Sequence, residues 1–227
     1  MNTKDFESFP SPNVQEQTFI QRVYQWMAMG LGLTGLVAVG VASNPAFLRI
    51  FMGPGFIVAA LAELALVFWL TASIQKISPQ AAMAGFLVYS ALNGATLSYM
   101  FLAYTGVSIA TTFFITAGSF AGVSLFGWVT KTDLTSLRGF FSMALIGFLL
   151  GSLVNLFFHS PVFYWLLTYA GIAIFIGLTA YDTQQLKQIQ RSGGGTEQMA
   201  IIGALKLYLD FINLFLMLLR LFGRRRD

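Results

Sequence analysis

Long apolar runs constrain this chain more than any other feature. A helix needs about 20 apolar residues to cross the hydrocarbon of a bilayer. Six stretches reach that length: 23–42, 56–74, 81–104, 107–129, 139–158 and 162–181. A seventh, 199–222, is interrupted by Lys206, Asp210, Asn213 and Arg220. The expected fold class is an all-α integral membrane protein, a seven-transmembrane-helix bundle. The expected division is a cytoplasmic tail over 1–22, a transmembrane domain over 23–222 and a basic tail over 223–227. The connections are short and several carry Pro or charge, as in "SNPAFLRIFMGPG", "QKISPQ", "KTDLTSLR" and "HSP". The longest, "QQLKQIQRSGGGTEQ", has a triple glycine and reads as a hinge-like loop. Run 1 is too long, and lies too far in, for the h-region of a cleaved signal peptide.

Composition narrows the function classes. Charged residues make up 10% of the chain, against about 25% in a soluble domain. Without cysteine there is no disulfide, thiol nucleophile or thiolate metal site. The single histidine, His159, leaves little for zinc or a Ser-His pair, and it reads as a solvated loop residue. No enzyme and no resident cofactor are expected. The net charge is +4, much of it in Arg224, Arg225 and Arg226. That cluster reads as a membrane-edge anchor; no basic face interleaves with exposed aromatics, so no nucleic-acid partner is expected.

Lysine and arginine give the orientation. With a cytoplasmic N-terminus the inner side holds Lys4, Arg22, Lys76, Lys131, Arg138, Lys187 and Arg191, and the outer side holds Arg49. This is a positive-inside bias, and it points to a multi-pass protein of the inner (plasma) membrane. The C-terminal arginines pull the other way. A full seventh span puts them outside, and a re-entrant seventh segment returns them to the cytoplasm.

Several motifs reduce to packing. "GLGLTG" (Gly30 to Gly35) matches a dinucleotide fingerprint but lies inside a span with no preceding strand, so it fails its context. "GSFAG" (118–122) and "GFLLG" (147–151) read as small-residue helix contacts within the molecule. Trp26, Trp69, Trp128 and Trp165 lie near run ends, as interfacial belts require.

The ionisable residues at membrane depth are Glu63, Asp182, Lys206 and Asp210. Such residues are expensive in a bilayer and are functional candidates. Lys206, Asp210, Asn213, Met217 and Arg220 share one helical face, and Thr179, Asp182 and Gln185 form a second polar stripe. Each stripe carries one aspartate, so the two invite a carboxylate pair. Such a pair shares a proton and repels itself apart when the last proton leaves. With Glu63 the two aspartates also offer hard oxygens of the kind calcium takes. Blander readings stand beside these. Lys206 and Asp210, at i and i+4, can neutralise each other. Asp182 can be solvated at the membrane edge, and Glu63 can hydrogen-bond an opposed helix. Depth is a difficulty: Asp182 ends its run, whereas Asp210 lies some 16 Å along the next at 1.5 Å per residue.

At these residues the sequence resembles the Bax inhibitor-1 family, also called the transmembrane Bax inhibitor motif family, and a bacterial member of it. "GIAIFIGLTAYDTQQLK" (171–187) is similar to the family's signature segment, and "LYLDFINLFLMLLRLFG" (207–223) to its closing helix. The resemblance implies seven helices with the seventh at the centre. It implies a pH-sensitive calcium leak governed by a di-aspartyl sensor, here Asp182 and Asp210. Glu63 fits the family's acidic residue in helix 2. Some members carry an arginine late in helix 2; here Lys76 is the only basic candidate. Eukaryotic relatives are linked to suppression of cell death, and bacterial ones to modulation of a membrane protease. The expected partners are the lipid bilayer, calcium ions and protons. The alternative is a non-conducting regulator that binds or restrains another membrane protein, such as a membrane protease.

Overall fold

The computed structural model describes residues 12–226. Among them, seven helices are long and apolar enough to cross a bilayer. They are α1 (Pro12–Ser43), α2 (Pro54–Ser73), α3 (Pro79–Leu97), α4 (Gly106–Val129), α5 (Arg138–Phe158), α6 (Pro161–Arg191) and α7 (Glu197–Phe222). Four of them open on proline, whose missing N–H and preset φ suit the first turn. Ser78, Thr105, Ser160 and Thr196 cap α3, α4, α6 and α7 by accepting from Ala81, Ser108, Phe163 and Met199 backbone N–H groups.

Helix ends depart from run ends in three places. Much of the polar segment expected as a tail, from Pro12 on, is the start of α1; residues 1–11, with Lys4, lie outside the described residues. Run 3 breaks at Ser98 and Tyr99, and resumes as one turn, Met100–Ala103. Run 6 continues well past Tyr181 to Arg191, giving a helix of 31 residues, about 46 Å long. Hydropathy marks where the bilayer ends, and a helix continues into water where its polar residues still find partners.

α7 is a continuous helix of 26 residues, about 39 Å. It buries residues round its circumference from Ala200 to Leu219, packing on α1, α3, α4 and α6. α5 packs on α6, and α2 on α3. Large apolar side chains such as Phe114, Phe140, Phe157 and Val162 point outward. On a soluble protein so much exposed apolar surface would be a liability; on this one it is the lipid face.

The two ends of the bundle are distinct. At one, Arg22 of α1 donates to Gly195 O (3.3 Å) and pairs with Glu197 (3.1 Å), which also accepts from Trp26 Nε1 (2.9 Å). At the other, the C-terminal tail pairs with the α3–α4 connection. Thr105 N donates to Arg224 O (3.1 Å), and Arg226 N donates to Ala103 O (3.0 Å). α7 is one unbroken helix and Arg224 to Arg226 lie at the end of the bundle opposite Arg22, the arrangement that a full seventh span expects. Their backbone is hydrogen-bonded there, so the charges sit at the rim without a second crossing.

Close approach falls on other glycines than the motifs suggest. A Cβ on Gly94 would lie 2.5 Å from Thr34 O, and one on Gly127 would meet the backbone of Ala180. These are the tight α1–α3 and α4–α6 crossings. Gly118 and Gly122 meet nothing within 4 Å, so the glycines of "GSFAG" face outward and serve no helix contact, while Phe120 between them packs inward on Phe211.

Candidate functional site

The two polar stripes meet where α6 passes α7. Because α6 runs on to Arg191, Asp182 lies within the helix and not at its end, which removes the depth difficulty. Asp182 is 8% exposed and Asp210 5%, so Asp182 is not a solvated edge residue. Lys206 Nζ lies 3.5 Å from Asp182 Oδ1 and donates to Gln185 Oε1 at 3.0 Å. Among the described residues the ion pair at this site is thus across helices, and not the i,i+4 pair of Lys206 with Asp210. Asp182 and Lys206 are the charges within electrostatic reach of Asp210. Asp210 Oδ2 is buried and receives no hydrogen bond from the described residues.

A small cavity of about 30 Å³ adjoins the site, lined by Asp182, Gln185, Gly203 and Lys206 among others. A space of that size holds about one water. Lys206 is more exposed than either aspartate, so the amine is the most accessible of the three charges.

The remaining stripe residues part company. Asn213 Nδ2 donates to its own helix at Leu209 O, 2.8 Å away. Met217 is buried among Phe148, Leu167 and Phe175, and Arg220 lies over the Tyr164 ring at 5.2 Å. Lys76 is exposed in the α2–α3 connection, and makes no ion pair with the aspartates among the described residues.

Glu63 belongs to a separate network. Its carboxylate accepts from Asn93 Nδ2 (3.2 Å) and Thr96 Oγ1 (2.9 Å), both on α3. Asn93 Oδ1 accepts from Tyr208 OH (3.1 Å), which also bonds Thr34 Oγ1 (2.7 Å). The calcium set of Asp182, Asp210 and Glu63 expected from the sequence does not assemble. Among the described residues no three acidic or histidine side chains form a metal-holding group, because Glu63 is turned toward α3. Tyr208, Asn93 and Thr34 escaped the sequence reading, since uncharged polar residues at single positions look like ordinary helix contacts. Tyr208 did carry a signal: it stands two residues from Asp210, on another face of α7.

Residues 16–227 match the family described as inhibitor of apoptosis-promoting Bax1. The chain belongs to the Bax inhibitor-1 family. Among its family relatives is the inner membrane protein YbhL of Escherichia coli (strain K12), 47% identical over 227 residues and covering 97% of each chain. An uncharacterized protein of Borreliella burgdorferi is 42% identical over 215 residues, covering 92% of this chain and 93% of its own. An uncharacterized membrane protein of Streptococcus pyogenes is 36% identical over 226 residues, covering 97% and 98%. With seven apolar spans, this member of the family is a multi-pass integral membrane protein.

Proposed function

We propose that this protein is a proton-regulated cation leak of the inner membrane, calcium preferred, with no catalytic role and no resident cofactor. The observation that carries the reading is charge arithmetic at one buried site. Asp182, Asp210 and Lys206 together carry −1 when all are ionised, and one proton makes the trio neutral. Net charge at membrane depth is costly, so the neutral trio favours the closed packing of α7 on α6. When the proton leaves, two carboxylates face each other with one amine to share. Like charges about 4 Å apart repel by roughly 4 kcal/mol at an effective dielectric near 20, and Lys206 offsets part of this. A shift of about 5.5 kcal/mol takes a two-state equilibrium from 1:99 to 99:1, so the repulsion suffices to open a substantial fraction.

The opened site offers two carboxylates and the Gln185 carbonyl oxygen, hard ligands suited to calcium in transit. Glu63 is assigned to the ion path at a distance from the sensor. The close packing round α7 supports a second reading, a non-conducting regulator that restrains another membrane protein. Calcium flux into liposomes holding the purified protein, measured across pH, separates the two. The leak reading expects flux that rises with pH through one step. Flux no greater than in empty liposomes at every pH supports the regulator.

A further inference from the structure

A second charged site lies at the opposite end of α7 and takes no part in the proposed leak. There a cavity of about 920 Å³ opens between α5, α6 and α7. Asn155, His159, Tyr164, Trp165, Arg220 and Arg225 supply its polar and aromatic wall. The lining contains no aspartate or glutamate. Arg220 is half-buried in the last turn of α7, where its contacts are the Tyr164 ring and Met217 Sδ at 3.9 Å. Among the described residues neither arginine makes an ion pair, though a half-buried guanidinium usually has one. Asn155 Oδ1 accepts from Ser160 N at 3.1 Å, leaving its NH₂ group as a donor.

We propose that this cavity binds the phosphodiester headgroup of an anionic phospholipid. The arginines supply charge and the forked donors that match phosphate oxygens. The depth is right: the cavity lies where α6 begins and α7 ends, at headgroup level, beside Trp165 and Tyr169, aromatic residues suited to that level. Beside the charged wall, Leu156, Val162 and Leu166 are exposed and give acyl chains an apolar surface. A volume of this size accommodates a headgroup with its glycerol. Basic pockets between membrane helices are a recognised mode of headgroup binding. The C-terminal tail that delivers Arg225 is held by the Tyr104 bridge and the Thr105 hydrogen bond, so the site is assembled by the fold and not by a loose terminus.

The test is native mass spectrometry of the full chain in detergent with phosphatidylglycerol and phosphatidylcholine at equal mole fraction. The expected result is preferential retention of phosphatidylglycerol. That preference should fall roughly tenfold in Arg220→Gln and in Arg225→Gln, the effect of one lost charge-assisted contact. Arg49→Gln, in the α1–α2 connection outside this cavity, should leave it unchanged. Equal retention of the two lipids overturns the proposal. So does an unchanged preference in Arg225→Gln, an exposed position whose loss leaves the helices intact and decides the matter if Arg220→Gln fails to fold. Displacement of phosphatidylglycerol by millimolar inorganic phosphate, with phosphate retained in its place, overturns the lipid assignment in favour of a free anion.

Discussion

Lys206 has two partners on α6, Asp182 at 3.5 Å and Gln185 at 3.0 Å, and this makes it the residue that sets the charge of the site. Lys206→Met leaves two carboxylates with no amine. More protons are then needed for neutrality, so the flux curve should move to more alkaline pH by at least about one unit, the equivalent of roughly 1.4 kcal/mol. A curve that stays where the parent's lies would show that the amine is ornamental. Glu63 makes a contrasting case. Glu63→Gln keeps one acceptor for Thr96 and loses the other for Asn93, so calcium flux should fall while the pH midpoint stays. Unchanged flux in the folded variant would return Glu63 to a structural role. Tyr208→Phe removes the hydroxyl that joins Thr34 to Asn93. Thr34 keeps its bond to Ser90 O, but Asn93 Oδ1 is left buried and unpaired at a cost of about 1–3 kcal/mol, which a thermal-unfolding scan in detergent should register without any change in the pH step.

At the scale of elements, helix starts were legible because they are written in proline and capping residues, as in "SPQ" before α3 and "HSP" before α6. The end of α6 was not, because hydropathy falls at Asp182 while the helix runs on to Arg191. That extension places Asp182 inside the helix, against Lys206 and within electrostatic reach of Asp210, a geometry that the hydropathy boundary does not disclose. The stripe on α7 was legible as a face, but its division was not. Asn213 bonds its own backbone and Arg220 stacks on Tyr164, choices that depend on neighbours and not on spacing. Glycine motifs misled in the same way: "GSFAG" is a pattern, whereas Gly127 is a contact. Gly127→Leu should destabilise the α4–α6 crossing by about 1–3 kcal/mol, as overpacking does. Gly118→Ala, with nothing within 4 Å, should be neutral or slightly stabilising. Equal unfolding temperatures for the two variants would contradict the crossing described.

For the whole molecule, the C-terminal segment docks at the end of the bundle opposite Arg22 and Glu197, and with seven crossings the two termini are expected on opposite sides of the membrane. The chain has no cysteine, which makes the test simple. A cysteine appended after Asp227 and one introduced near the N-terminus should label with an impermeant reagent from opposite sides, and labelling of both from one side would refute seven crossings. The proposed gating turns on one carboxylate, Asp210, buried at 5% exposure within electrostatic reach of Asp182. If its proton decides whether α7 leaves α6, the uncharged Asp210→Asn variant has no proton to lose there. Calcium flux into liposomes should then show an altered basal leak with no pH step, and a curve that still steps with pH like the parent's would contradict the mechanism.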